Sequence, residues 1–146
     1  MPKRRMLIVC TGNSCRSQMA EALAQKLGGS DWEICSAGSR PAGYIHRYAI
    51  AAMAELGIDL SSRRSKGITE FLGGSFDYVI TVCDGAKEDC PVFPNAGTML
   101  HWPTDDPASM RDDPEAGMAV ARRVRGELEE KLATLMRQDA RGKTEA

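Results

Sequence analysis

A short apolar run, Met6–Val9, is followed by a polar turn and then by a segment with helical spacing. Consecutive apolar residues over this length are typical of a strand that is buried on both faces of a parallel sheet. From Ser17 onward, the sequence SQMAEALAQKL places apolar residues at the intervals of an amphipathic helix. Because a buried strand leads through the turn directly into a helix, we expect the chain to adopt an α/β fold.

The same alternation of strands and helices continues along the chain. Strands are predicted near residues 32–36, 77–82 and 98–102, and helices near residues 45–56, 68–72 and from residue 114 onward. This order predicts a four-stranded parallel sheet with helices on both faces. The 146 residues are enough to bury the core of a single domain over 1–146. Residues 138–146 are predicted to form a frayed polar tail.

The turn after the first strand has the residue types of a loop that binds an oxyanion and carries a nucleophile. Successive backbone N–H groups in such a turn converge on one anion, and the dipole of the following helix adds partial positive charge. Arg16 supplies a planar fork of hydrogen-bond donors for a tetrahedral oxyanion. The predicted oxyanion-binding residues are Thr11, Gly12, Asn13, Ser14, Cys15 and Arg16.

Cys10 is the predicted nucleophile of this loop. Helix N-termini and nearby cations lower the pKa of a cysteine from about 8.5 to roughly 3.5–7.5, so we expect Cys10 to be a thiolate at neutral pH. The Ser17 hydroxyl is expected to hold the thiolate by a hydrogen bond. The alternative is a structural cysteine at a strand end, with Gly12 and Asn13 forming an ordinary turn. Strand, turn, arginine and helix follow in the required order, which favours the functional loop.

Two further marked segments lie at or just after predicted strand ends. Cys83 follows the third strand, and Asp105-Asp106-Pro107 lies shortly after the fourth. Ligands of open parallel sheets bind at the carboxyl ends of the strands. The sequence therefore predicts that Cys10, Cys83 and the aspartate pair share one pocket.

The charge balance excludes some classes of partner. The chain has 19 Lys and Arg against 20 Asp and Glu, a net charge of −1, which provides no electrostatic basis for binding nucleic acid or an anionic membrane. Lys3, Arg4 and Arg5 have the charge of a signal-peptide n-region, but the apolar run after them is too short for an h-region or a membrane span. We therefore expect a cytoplasmic protein that does not bind membranes.

Five cysteines occur, at positions 10, 15, 35, 83 and 90. In a cytoplasmic chain they indicate catalysis, redox chemistry or metal binding. The spacing of Cys10 and Cys15 matches that of a zinc-ligand pair only loosely, and the spacing of Cys83 and Cys90 does not match it. We therefore expect neither a metal nor a cofactor. Cys15 is predicted to support the loop and Cys35 to pack in the core. His46 and His101 are predicted to be structural, since a thiolate loop needs no imidazole base.

The segment CTGNSCRSQMAE from Cys10, together with Ser36-Ala-Gly and Asp106-Pro107, resembles the low-molecular-weight protein tyrosine phosphatase family. It is most similar to the thioredoxin-coupled arsenate reductases of that family. The most diagnostic part is TVCDGAKEDCPVFP, which contains Cys83 and Cys90 and is followed by His101-Trp102. A phosphatase does not need these two further thiols. The resemblance implies a low-molecular-weight phosphatase-like fold over most of the chain.

This resemblance implies reduction of arsenate to arsenite by three thiols. Cys10 attacks arsenate, Cys83 attacks the Cys10 adduct and releases arsenite, and Cys90 then forms a disulfide with Cys83 that thioredoxin reduces. Asp106 protonates the departing oxygen, although its neighbour Asp105 leaves that assignment open by one position. Phosphate is expected to compete with arsenate. A glutathione and glutaredoxin system is the alternative electron donor, and we expect a monomer.

Two rival functions remain open at this point. A tyrosine phosphatase of this fold usually has an aromatic residue just after Asp-Pro, whereas Pro107 is followed by Ala108, Ser109 and Met110. A thiol sensor of oxidants or trivalent arsenic would use the cysteines, but it would not require Arg16 or Asp106. A weak phosphatase activity beside arsenate reduction is compatible with the loop.

The resemblance also implies a difference at the cation site of potassium-dependent arsenate reductases of this type. Those enzymes bind the cation with residues that match Asn13, Glu21 and Ser36, and with an aspartate seventeen positions before the relay cysteine, where this chain has Lys66. The Lys66 ammonium group is therefore expected to replace the cation and to pair with Glu21. The alternative is that the alignment slips by one residue and that Lys66 points into solvent.

Overall fold

A computed structural model describes residues 3–83 and 96–145. The strands are β1 (Arg4–Cys10), β2 (Trp32–Gly38), β3 (Tyr78–Thr81) and β4 (Thr98–His101). The helices are α1 (Arg16–Gly28), α2 (Arg47–Ala54) and α3 (Pro114–Glu145), and there are 3-10 turns at Gly29–Asp31, Ile68–Phe71 and Pro107–Met110. The predicted loop that contains Cys90 lies outside the described residues.

The four strands form one parallel sheet in the order β2-β1-β3-β4. Successive side chains of a strand point to opposite faces of the sheet. All residues of β1 from Met6 to Cys10 are at most 3% exposed, so both faces of this central strand are covered. The α/β fold with a four-stranded parallel sheet is thus confirmed. It brings the carboxyl ends of β1 and β3 next to each other.

Helix α3 packs against α1 and α2 through one apolar stripe. Its residues Ala121, Val124, Leu128 and Leu132 recur at helical spacing and are fully buried. Within residues 3–83 and 96–145, no helix combines the length and the apolar character that crossing a bilayer requires.

Helix α3 continues to Glu145, through residues for which the sequence predicts a frayed polar tail. Asp139 accepts hydrogen bonds from Arg4 at the start of β1 and from the Tyr78 hydroxyl at the start of β3, the latter at 2.9 Å. The Asp139 side chain is only 7% exposed. These long-range contacts anchor α3 near Asp139 to the starts of β1 and β3.

Candidate active site

The loop Cys10–Cys15 connects β1 to α1, and its carbonyl groups point outward. Four of its carbonyl oxygens, between Cys10 and Ser14, accept hydrogen bonds of 2.8 to 3.2 Å from backbone N–H groups of the segment 39–46. In a trans peptide the C=O of one residue and the N–H of the next point in opposite directions. The N–H groups of Gly12, Asn13 and Cys15 therefore point away from that segment, the arrangement that binds a tetrahedral anion. The Thr11 N–H instead donates to Cys83 Sγ.

Two residues make this loop conformation accessible. Asn13 has a φ of 48°, in the left-handed region where asparagine is enriched several-fold. Gly38, at the end of β2, lies so close to the loop that an ideal Cβ there would be 2.6 Å from the Thr11 carbonyl oxygen. Only glycine allows β2 to support the loop at this distance.

The sulfur of Cys10 lies at the base of the loop and is 3% exposed. Ser17 Oγ donates a hydrogen bond to Cys10 Sγ at 3.3 Å. The direction of this bond follows from the neighbouring Asn13, whose Nδ2 donates to Ser17 Oγ at 2.8 Å and to Ser36 Oγ at 2.9 Å. Because Ser17 accepts the amide hydrogen, its own hydroxyl hydrogen is available for the sulfur.

Cys83 lies directly against the loop Cys10–Cys15. Its Sγ accepts a hydrogen bond from the Thr11 backbone N–H at 3.3 Å and is 3.2 Å from Thr11 Oγ1. Cys83 is 5% exposed, so this thiol is buried together with Cys10. The sheet order explains the contact, since β1 and β3 are adjacent parallel strands that end at the same edge.

The pKa of the Cys10 thiol is raised well above its ordinary value. The largest cause is its hydrogen bond with the Cys83 thiol, followed by burial, whereas the Ser17 hydrogen bond and the charge of Arg16 lower this pKa. Its hydrogen bond with Cys83 and burial thus oppose the predicted thiolate, while Ser17 and Arg16 favour it. The sequence pattern contains only the effects of the loop and of the helix dipole, which favour the thiolate.

Arg16 is oriented by the segment that follows β4. Its Nη1 donates to the Thr104 carbonyl oxygen at 2.9 Å, and its Nη2 is 3.6 Å from Asp106 Oδ2. Asp105 instead pairs with Arg123 of α3 at 2.7 Å on the protein surface. Of the two adjacent aspartates, Asp106 is thus the one that lies beside Arg16.

Two further cysteines and the two histidines contact residues of the protein framework. Cys15 is 3% exposed, and burial, followed by the charge of Asp106, raises its pKa to about 12, against a lowering effect of Arg16. Cys35, predicted to pack in the core, is only half-buried at the edge of the core. His46 caps α2 by accepting the Tyr48 backbone N–H at 3.1 Å. His101 Nδ1 is 2.7 Å from Thr81 Oγ1. Cys90 is outside the described residues.

Glu21 is the centre of a buried ion cluster beneath the loop, and its side chain is 7% exposed. Its Oε1 accepts a hydrogen bond from Ser36 Oγ at 3.1 Å and is 3.6 Å from Lys66 Nζ, while its Oε2 accepts one from Arg63 at 3.0 Å. The Lys66 backbone N–H donates to Asn13 Oδ1 at 2.8 Å. The Lys66 side chain is 15% exposed and does not simply point into solvent.

Sequence reasoning missed two residues of this site. Arg63, the second cation on Glu21, belongs to a connector that contains three basic residues within 63–66, and this charge density was the available signal. Thr104 contacts Arg16 through its backbone carbonyl, for which the sequence carries no residue-type signal.

Comparison with known proteins places this geometry in a family. The profile described as Low molecular weight phosphotyrosine protein phosphatase matches residues 5–144. An arsenate reductase of Halalkalibacterium halodurans is 41% identical over 134 residues, which is 92% of this chain and 96% of the relative.

Solved structures agree with this comparison. A structure described as an arsenate reductase in the phosphate binding state superposes with a TM-score of 0.77 at 31% identity, covering 92% of this chain and 98% of that one. The Corynebacterium glutamicum thioredoxin-dependent arsenate reductase has a TM-score of 0.73 at 29% identity, and the alignment covers 94% of this chain and 62% of that one.

Proposed function

This chain belongs to the low molecular weight phosphotyrosine protein phosphatase family, and we propose that it reduces arsenate to arsenite with three of its thiols, which thioredoxin regenerates. The observation that carries the proposal is the contact of Cys83 with the nucleophile loop through Thr11. Hydrolysis of a phosphate ester requires the loop, Arg16 and an acid, but it does not require a second thiol. Transfer of two electrons to arsenic requires a second thiol.

The first step forms a bond between sulfur and arsenic. Dianionic arsenate binds to the inward N–H groups and Arg16, and it accepts the proton of the Cys10 thiol. Cys10 Sγ then attacks arsenic, and one arsenate oxygen leaves as water with a proton from Asp106. The oxidation state of arsenic does not change in this step. The inward N–H groups stabilise the charge on the remaining oxygens.

The second step is the reduction. The Cys83 thiolate attacks Cys10 Sγ, so that a sulfur–sulfur bond forms and the sulfur–arsenic bond breaks. The bonding electron pair stays on arsenic, which passes from the pentavalent to the trivalent state, and arsenite leaves after protonation. Two thiols have then lost two electrons in the form of one disulfide. Phosphorus in the same position keeps its oxidation state, so phosphate competes for the loop without being reduced.

The third step transfers the disulfide away from the loop. The Cys90 thiolate attacks Cys83 and releases Cys10 as a thiolate, and a dithiol donor reduces the Cys83–Cys90 disulfide by a second exchange. Thioredoxin is the proposed donor, supported by similarity to the thioredoxin-dependent enzyme. Exchange of this kind requires free thiols, which reducing compartments maintain. We therefore place the reaction in the cytoplasm. We also propose that the working unit is a monomer.

The proposal is tested by supplying the purified chain with arsenate, thioredoxin, thioredoxin reductase and NADPH. We expect NADPH consumption that depends on both arsenate and thioredoxin, with inorganic phosphate acting as a competitive inhibitor. Hydrolysis of para-nitrophenyl phosphate is expected to be weak. Efficient hydrolysis without arsenate-dependent NADPH consumption would identify a phosphatase instead. Thiol oxidation by peroxide without either activity would identify a sensor.

The buried cluster around Glu21 supports a prediction about potassium. Lys66 and Arg63 already neutralise this carboxylate, and a further cation beside Lys66 would be repelled. We expect activity and melting temperature to be the same in potassium and in sodium at fixed ionic strength. Lys66→Asp is expected to create a potassium-specific increase in both quantities.

The matched control for this prediction is Lys26→Asp, which changes the charge equally at an exposed position of α1. It is expected to leave the response to potassium unchanged. A parent protein whose arsenate affinity rises with potassium but not with sodium would contradict the assignment of Lys66 to the cation's position.

A further inference from the structure

Thr104 connects two parts of the site that carry out different steps. It lies between β4 and the 3-10 turn Pro107–Met110 and is half-buried. Its carbonyl oxygen accepts a hydrogen bond from Arg16 Nη1 at 2.9 Å, and its hydroxyl donates one to the Val82 carbonyl oxygen at 2.5 Å. We propose that Thr104 is a positioning residue that holds the relay thiol Cys83 and the oxyanion-binding Arg16 in a fixed relative position.

The carbonyl of Thr104 acts on the guanidinium group. Arginine has many side-chain rotamers, and one anchor on its planar fork reduces them strongly. With Nη1 on the Thr104 carbonyl and Nη2 beside Asp106, one edge of the Arg16 guanidinium faces the segment 104–106. The remaining N–H groups are left for an anion in the loop. A backbone carbonyl provides this anchor, so a change of the Thr104 side chain leaves it in place.

The hydroxyl of Thr104 acts on the strand end that carries Cys83. The Val82 backbone N–H donates to the Val9 carbonyl oxygen at 2.9 Å, which ties this residue to β1. The Thr104 hydroxyl holds the Val82 carbonyl, and this carbonyl belongs to the planar peptide that joins Val82 to Cys83. Fixing that plane limits the directions in which the Cys83 side chain can leave the backbone.

The reaction is sensitive to this geometry. In the reduction step Cys83 Sγ must approach Cys10 Sγ in line with the bond to arsenic, and small errors in such an alignment have large effects on rate. Thr104 is thus expected to matter for the encounter of the two sulfurs and much less for anion binding. The reaction-rate part of this inference rests on the proposed function, whereas the encounter of the two thiols is measurable without arsenate.

The test compares Thr104→Val, which removes the hydroxyl at nearly constant shape, with Thr104→Ser, which keeps it. Both are made in a Cys90→Ser background, where the Cys10–Cys83 disulfide accumulates. Each protein is equilibrated with reduced and oxidised glutathione and then analysed by mass mapping. The fraction with the disulfide gives the effective concentration of the Cys83 thiol toward the Cys10 thiol. Thr134→Val, at an exposed position of α3, is the matched control.

We expect Thr104→Val to lower this effective concentration by about tenfold, and Thr104→Ser and Thr134→Val to change it by less than about twofold. The single-turnover rate of arsenite formation is expected to fall in parallel. The Kd for inorganic phosphate, measured by calorimetry, should change by less than about threefold because Arg16 keeps its backbone anchor.

Three results would overturn the proposal. The first is an unchanged disulfide equilibrium in Thr104→Val. The second is a decrease of the effective concentration in Thr104→Ser that equals the decrease in Thr104→Val. The third is a loss of phosphate affinity in Thr104→Val as large as its loss of effective concentration. If the parent chain does not reduce arsenate but Thr104→Val still weakens the disulfide, the proposed function fails and the positioning role stands. The glutathione equilibrium thus separates the two hypotheses.

Discussion

Replacement of Cys10 by serine is expected to abolish both arsenate reduction and any hydrolysis of para-nitrophenyl phosphate. Cys10 Sγ lies at the base of the loop with the Ser17 hydroxyl on it, so no other described side chain occupies the position of the nucleophile. A serine hydroxyl is a far weaker nucleophile without an adjacent base, and it cannot form a disulfide with Cys83. The measurement is arsenite formation in the thioredoxin-coupled assay, together with release of para-nitrophenol.

Cys35→Ser is the matched control for this experiment, because it makes the same change at a half-buried cysteine of β2 outside the loop. It is expected to keep activity within about threefold of the parent, as do most substitutions away from reacting groups. Calorimetric binding of inorganic phosphate should persist in Cys10→Ser, which would demonstrate an intact loop. Arsenate turnover by Cys10→Ser near the parent rate would refute the assignment of the nucleophile.

Replacement of either relay cysteine is expected to stop the cycle at a defined point. Cys90→Ser should release about one arsenite per chain and then stall as the Cys10–Cys83 disulfide, because the exchange that frees Cys10 is missing. Cys83→Ser should release none in multiple turnover, although it should retain weak phosphatase activity through Cys10. Quantifying arsenite after a single mixing with excess arsenate distinguishes the two stalls.

Mass mapping of the stalled Cys90→Ser protein identifies the disulfide. The contact of Cys83 Sγ with Thr11 supports a Cys10–Cys83 bond. The pKa of Cys15 is raised to about 12, so this thiol is largely protonated at neutral pH and is a poor competitor. A Cys10–Cys15 disulfide in the stalled protein, or continued turnover by Cys90→Ser with thioredoxin, would rule out the relay.

The local signals of the sequence were sufficient for the fold and for the proximity of Cys83 to the loop that follows β1. Strand β1, its loop and α1 are contiguous in residues 4–28, and their apolar spacing and turn residues act over a few positions. The parallel order of the strands then brings Cys83 to the edge where Cys10 lies, as the strand-end rule predicts. The prediction that Lys66 pairs with Glu21 agrees with their distance of 3.6 Å, while its replacement of a cation stays a prediction.

Interactions between residues far apart in the chain decided the rest. The pKa of Cys10 is raised by a hydrogen bond with a sulfur 73 positions away and by burial, whereas the sequence pattern contains only the dipole and charge of the local loop. The anchoring of α3 to β1 depends on the contact of Asp139 with Arg4, 135 positions earlier. The choice of Asp106 over Asp105 beside Arg16 depends on the pairing of Asp105 with α3. Sequence patterns report local conformation and burial. The pKa of a buried thiol and the partner of an ion pair depend on distances that exist only in the folded chain.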